Sequence, residues 1–380
     1  MINDKRLIKL LQKVVSCNSE NPPGNELALA KLIENDMRSL KVDVKLYAYA
    51  KGRPNIVATL KGTAPRAQAA REAILITPHF DTVPIGSGWK YNPLGGQIVG
   101  GKLYGRGSTD DKGNLASCME VMRSLVEDKV KLRKDVMMAA TVDEETGSHA
   151  GIIPLLDKKV LKPRLALVMD SDNFDTIIAQ KGLIHSRIQI FGKKAHGAYN
   201  WRGINAIEIA ATVIGDLKKI KFAYKKHPLL HAPTMNIGVI RGGDKVNMVS
   251  DFCEFALDTR YLPGMSPHSV LNQIRSIVAK HAKKFKIVID DWQLPYEIDR
   301  HNKFVKLYAD TAKRMGRQAH LKGSEGATVI TFFKKHGIPA FATGYASSGT
   351  AHTTDEYIDV KPLCQGTRLL ERYIKEYDRL

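Results

Sequence analysis

The opening segment MINDKRLIKLLQKVVSCNSENPPG spaces Leu7, Leu10, Leu11 and Val14 three or four positions apart, with charges between them. That spacing predicts an amphipathic helix, and Asn3 stands where a cap would take up its free amides. From Ala73 onward the pattern becomes short apolar runs separated by helical ones. AILIT (73–77) is followed by a helix from Asn114 to Glu127, then DVMMAATV (135–142), a helix-like segment and LALVMD (165–170). This alternation predicts an α/β fold with a mainly parallel central sheet and helices on both faces. Sites in such sheets gather at the carboxyl ends of the strands.

Between residues 180 and 291 the order changes. The pattern predicts a strand (183–191), a helix (203–219), two strands (234–241 and 248–259), a helix (267–284) and a strand (286–290). Ser266-Pro267 opens the second helix with a cap followed by proline. The βαββαβ order is that of a ferredoxin-like α+β sandwich. Helices (302–315 and 326–335) and a strand, PAFATG (339–344), then resume the first pattern. The expected organisation is a catalytic domain in two parts, 1–179 and 292–380, interrupted by an inserted domain, 180–291.

Composition narrows the classes. With 380 residues and 43% hydrophobic positions, the chain can fold as two domains without staples. No apolar run approaches the roughly 18–20 residues of a membrane helix, and the charged start argues against a secretory signal, so the cytoplasm is expected. Cys17, Cys118, Cys253 and Cys364 are scattered without zinc-knuckle or disulfide spacing. The formal charge is +19, and residues 180–291 carry 18 Lys and Arg against 8 Asp and Glu. The basic clusters 216–228 and 280–286 lie in and after helical stretches, which reads as a solvated face; nucleic acid is not expected as a partner.

Chemistry-bearing residues collect at the strand ends. Thr77-Pro78-His79-Phe80-Asp81 ends one strand; Thr141-Val142-Asp143-Glu144-Glu145 ends the next, and Asp170 and Asp172 another. A loop carries Gly105-Arg106-Gly107-Ser108-Thr109-Asp110-Asp111, and Ala351-His352 through Glu356 follows the last strand. Carboxylates so close would raise one another's pKa, a cost that metal ions remove. Imidazole with hard oxygen ligands suits zinc, manganese or cobalt.

The ordered set NPPGNE (21–26), H-x-D-T-V-P (79–84), G-R-G-x-x-D-x-K-G (105–113), D-E-E-x-G (143–147) and A-H-x-x-x-E (351–356) resembles the M20 family of co-catalytic metallohydrolases. That family includes acetylornithine deacetylase, succinyl-diaminopimelate desuccinylase, aminoacylases, carboxypeptidase G and several dipeptidases. The resemblance implies that the insert is a lid and dimerisation domain and that the protein is a homodimer. It implies two divalent metal ions, with zinc first and cobalt or manganese as alternatives. His79 and Asp170 would hold one, Glu145 and His352 the other, and Asp110 would bridge ions about 3.5–4 Å apart. Asp81 would orient His79, Glu144 would be the general base, and His196 of the lid would stabilise the oxyanion across the dimer. Asn247 and Arg260 would bind the substrate's carboxylate, with an ion pair inside its own strand as the alternative for Arg260. Asp143 reads as a cap or supporting acceptor.

Three positions depart from the family pattern: Pro78 before His79, Asp172 as a competitor to Asp170, and Glu325 where aspartate is common. The expected activity is hydrolysis of an N-acyl amino acid amide. A dipeptidase or carboxypeptidase of the same family is the alternative, and an inactive basic binding protein on this scaffold is the rival from another class.

Overall fold

The computed structural model describes residues 1–380, and the chain forms two compact units. The first comprises Met1–Ile178, Ile298–Lys322 and Thr328–Leu380, and the second Ala179–Glu297 with Gly323–Ala327.

The sheet of the first unit runs Asp43–Ala50, Arg53–Leu60, Val136–Ala140, Ile74–Thr77, Leu165–Val168, Ala340–Thr343, then the start of Thr176–Gln180. Its centre is parallel: Ile74 lies opposite both Val136 and Leu165, and Ala340 opposite Ala166. Every residue of Ile74–Thr77, Leu165–Val168 and Ala340–Thr343 is buried. Strands covered on both faces have no solvent side to keep polar, hence the unbroken apolar runs. The expected mainly parallel sheet is therefore present.

Its antiparallel margin did not stand out in the pattern. Asp43–Ala50 and Arg53–Leu60 form a hairpin turning at Gly52, whose φ of 74° is a region open to glycine. The outer strand is largely exposed and carries Lys45, which discourages pairing with another edge.

Caps set the helix ends. Asn3 Oδ1 accepts the Arg6 amide at 3.1 Å and opens Asp4–Ser16, burying Leu7, Leu10, Leu11 and Val14. Helix Lys112–Glu127 packs against this helix and against Val360–Tyr377. The helix expected at 326–335 is shorter, Ile330–Lys335, because Gly323–Ala327 belongs to the second unit.

The second unit orders its antiparallel strands as Thr234–Gly242, Phe252–Tyr261, Gly182–Phe191, Phe285–Gln293, the ferredoxin-like arrangement. Ile184, Ile188 and Phe255 on the sheet and Ala210, Val213, Ile274 and Val278 on helices Ala206–Leu217 and Pro267–His281 form its core. The first helix starts later than expected because Asn205 Oδ1 accepts the Ile207 amide at 3.0 Å and so caps it. The strand expected at 248–259 is two: Met248–Val249 pairs with Ala195–His196, and Phe252–Tyr261 enters the main sheet.

Ile274 is fully buried between the sheet and the helices. Ile274→Ala should destabilise this unit by about 2–5 kcal/mol through lost burial and a residual cavity. Hydrogen exchange at the amides of Phe252–Tyr261, followed in rising urea, reads the effect; unchanged protection would place the core elsewhere.

Candidate metal centre

The parallel register brings the ends of neighbouring strands to one level. Phe80 donates its amide to Thr141 O at 3.0 Å and Thr141 donates to Pro78 O at 3.1 Å, so the chain segments carrying His79 and Glu144-Glu145 leave the sheet side by side.

Asp81 then organises both. Its Oδ1 accepts the Glu144 amide and its Oδ2 the Glu145 amide, each at 3.1 Å. His79 Nδ1 lies 3.4 Å from Asp81 Oδ1 and 3.1 Å from the Asp81 carbonyl, which turns Nε2 toward the site. Burial opposes the charge on Asp81, but His79, Asn21 and the Glu145 amide outweigh it and lower the pKa, keeping the carboxylate ionised.

Two donor groups result. His79, Asp110 and Asp170 form one, and Asp110, Glu145 and His352 the other, with each group's donor atoms within 4.8 Å of one another. Asp110 is common to both: Oδ1 is 2.9 Å from His79 Nε2 and Oδ2 is 3.1 Å from His352 Nε2. His352 Nε2 also lies 3.1 Å from Glu145 Oε1. Asp170 is the carboxylate in these groups, and Asp172 is not.

The charges conflict within the protein alone. Burial, then repulsion from Asp110, pushes Asp170 up to about 6. Burial also holds Glu144 well above the carboxylate range, with Asp170, Glu145 and Asp110 adding to it. Hydrogen bonds to Asp110 and Glu145 push His352 up to about 10. Imidazolium character is here the only positive charge the acids meet, and divalent cations fit this mixed nitrogen and oxygen donor set.

Supporting residues outnumber the donors. Glu356 Oε1 accepts the amides of Thr109 (3.0 Å) and Asp110 (3.1 Å), while Oε2 accepts the Gly107 amide (3.0 Å) and Arg106 Nη1 (2.7 Å). One buried acid thus fixes the loop that presents Asp110. Asp143 takes the Ala150 amide at 2.8 Å and the Thr146 hydroxyl at 2.6 Å, and pairs with Arg53 at 3.0 Å, so its role is supporting. Arg53 in turn binds the fully buried Glu26 at 2.5 Å. Asn21 Nδ2 donates to Asp81 Oδ2 at 2.9 Å and Thr146 Oγ1 at 2.8 Å, linking the two networks. Asn21, Glu26, Arg106 and Glu356 lie inside the motifs but had no role in the sequence reading; Arg53 lies outside every motif.

In the second unit, His196 and Asn247 are neighbours. Ala195–His196 pairs with Met248–Val249, and the Gly197 amide donates to Asn247 O at 2.8 Å. Both side chains are exposed. Arg260 makes the ion pair within its strand, with Nε and Nη2 on Asp258 at 2.7 and 3.1 Å. Glu325 binds Lys181 at 2.5 Å and His231 at 3.0 Å.

Known proteins are similar to this chain in sequence and in fold. The model of Peptidase family M20/M25/M40 matches residues 75–376, and the chain belongs to that family. An acetylornithine deacetylase of Photorhabdus laumondii is 29% identical over 337 residues, which is 86% of this chain and 83% of that protein. Aminopeptidase PepT from Bacillus cereus has a crystal structure similar at a TM-score of 0.81 and 25% identity, covering 99% of both chains. An M20 family metallo-carboxypeptidase from Sulfolobus solfataricus shares the fold, with a TM-score of 0.81 at 20% identity over 98% of this chain and 99% of the other. The protein is a metal-dependent hydrolase, which removes the reading as an inactive binding protein.

Asn21→Leu keeps the branched heavy-atom shape and removes the donor that anchors Asp81. It should weaken divalent-metal affinity roughly 10–100-fold, the usual cost of disturbing a partner behind a metal-binding histidine. Competition with a chromophoric chelator measures this; an unchanged affinity would mean that the other three donors alone fix Asp81.

Proposed function

We propose that the protein hydrolyses the amide of an N-acyl amino acid, with two divalent metal ions, zinc first and cobalt or manganese as alternatives. The observation that carries this reading is Asp110, whose two oxygens face different histidines at 2.9 and 3.1 Å and so serve two donor groups. His79 and Asp170 would hold one ion and Glu145 and His352 the other. When bound, such ions polarise the scissile carbonyl and acidify the attacking water.

The chain's own groups do the rest. No protein donor engages the Glu144 carboxylate, although Asp81 fixes its backbone amide. Glu144 is therefore free to take the proton of the attacking water and to return it to the departing nitrogen. Asp81 keeps His79 in one orientation. His196 Nδ1 accepts the Ala198 amide at 3.1 Å, which leaves Nε2 to carry the proton in the neutral ring, a donor suited to an oxyanion. Asp258 engages two of the Arg260 guanidinium nitrogens, and the third, with Asn247, would bind the substrate's carboxylate.

The deacetylase relative favours an acyl amino acid; the structurally similar aminopeptidase and carboxypeptidase favour a short peptide as the second reading. A homodimer through the second unit is supported by strand Thr234–Gly242, an open sheet edge on which Val239 and Ile240 are 46% and 53% exposed. In that dimer His196 would act in the partner's site. Free cysteines support a reducing, cytoplasmic setting, and no helix is long and apolar enough to cross a membrane.

Release of free amine from N-acetyl, N-succinyl and N-formyl amino acids and from dipeptides, on chelated protein resupplied with zinc, cobalt or manganese, tests the substrate class. Turnover of the acyl amino acids is expected; turnover of dipeptides alone would establish the peptidase instead. Glu144→Ala should abolish turnover with metal content unchanged, and loss of metal would make Glu144 a ligand. Mixed dimers of His196→Ala and Glu144→Ala subunits should regain part of the activity; none in verified heterodimers would sink the shared site.

A further inference from the structure

The amino ends of the parallel strands carry a second concave feature, at the opposite end of the strands from the donor groups. A cleft of about 690 Å³ opens where Arg164 precedes strand Leu165–Val168 and Pro339 precedes Ala340–Thr343. Arg71, Lys159, Lys162, Arg164 and Lys303 line it, together with His336. All five Lys and Arg are exposed, and none of them forms an ion pair. No carboxylate lines the cleft; Asp157, outside it, is engaged by His336 at 3.1 Å and Lys335 at 3.7 Å.

A second basic cleft is neutralised only in part. Between helices Asp4–Ser16 and Leu27–Ser39 a space of about 770 Å³ also collects cations; there Arg6 is held by Glu120 and Glu127 and Arg123 by Asp36, while Lys5, Lys9 and Lys13 form no ion pair. That cleft carries its counter-charge in part, with Asp36 in its lining. The lining of the strand-end cleft itself holds no carboxylate, and five like charges converging on a concave surface repel one another unless an anion joins them.

The shape narrows the anion. Leu156, Leu161, Phe304 and Ile338 form a buried apolar floor under the cationic rim. Arg71, Arg164 and Lys303 also line an adjoining cleft of about 310 Å³, where Lys134 adds a cation and Glu72 an acidic side chain. Two arginines offer planar forks that match phosphate oxygens. A volume in the range of about 300–1,000 Å³ suits a small molecule. Single-stranded nucleic acid would need aromatic rings open to stacking, and here Phe304 and Tyr377 are 4% and 2% exposed while the His336 ring is engaged by Asp157.

We propose that this cleft binds a small molecule bearing at least two phosphate groups, at a site separate from the metal centre. Cations from three stretches of chain, 71, 159–164 and 303, surround the phosphates, and the apolar floor receives whatever organic part they carry.

The test is isothermal titration of the metal-loaded protein with pyrophosphate and, separately, with ATP, at physiological ionic strength and with magnesium in excess so that neither probe strips the metal centre. Saturable binding is expected, weakened roughly tenfold or more in an Arg71→Ser, Arg164→Ser, Lys303→Ser variant whose metal content and melting temperature match the wild type. If that variant fails to fold, Lys159→Ser with Lys162→Ser carries the same expectation. ATP binding tighter than pyrophosphate would identify a nucleotide-like ligand, and equal affinities an inorganic one; both support the site. Absence of saturable binding, undiminished binding in the variant, or tighter binding of an RNA oligomer of equal phosphate count would overturn it.

Discussion

Most of the candidate centre hangs on one carboxylate. Asp81 is completely buried and receives the imidazole of His79, the amides of Glu144 and Glu145, and the side chain of Asn21. A buried carboxylate is stable only with its oxygens satisfied, and here satisfying them sets the positions of His79, Glu144 and Glu145. The imidazole is turned so that Nε2 faces Asp110, and the tandem glutamates enter their turn with backbone positions fixed. Glu145 can therefore lean toward His352 while Glu144 stays free of protein partners.

The rest of the site repeats the device. Glu356 gathers three amides and Arg106 to hold the Asp110 loop, and Asp143 with Arg53 and Glu26 holds the turn after Val136–Ala140. Each of these acids is matched by backbone donors or by an arginine, so the loops leaving the sheet are tied down by hydrogen bonds of their own. Rigid loops suit metal donors, because ligands must meet from separate strand ends with little error.

How much of this was legible in the sequence depended on what the signal was. Apolar runs fully buried on both faces, such as Ile74–Thr77, announced themselves, and so did the helices with Asn3 or Ser266 at their starts. The hairpin Asp43–Leu60 did not, because its outer strand is half solvated and its polar positions obey no clean alternation. At the site, the motifs brought forward the donor residues by chemistry and order. They could not reveal that Asn21 reaches Asp81, or that Arg53 links Asp143 to Glu26. Those contacts join positions far apart along the chain, and only the folded register puts them within hydrogen-bond reach.

The net charge of +19 shows the same limit from another side. Sequence clustering pointed to 216–228 and 280–286, where Asp216 holds Lys219, Lys280 and His281 at 3.1, 3.9 and 2.7 Å and the remaining lysines are exposed and form no ion pair. Elsewhere in that unit Arg187 is paired with Asp290 and Glu254, and Lys194 with Asp244 and Asp251. Exposed pairs of this kind contribute little stability, but they shorten the reach of each charge. Arg71, Arg164 and Lys303 form no cluster in sequence and no ion pair, yet the fold brings them to one concave surface. What decides where an anion is attracted is convergence of charge on a concave surface, a property of the fold to which a run of lysines along the chain is a poor guide.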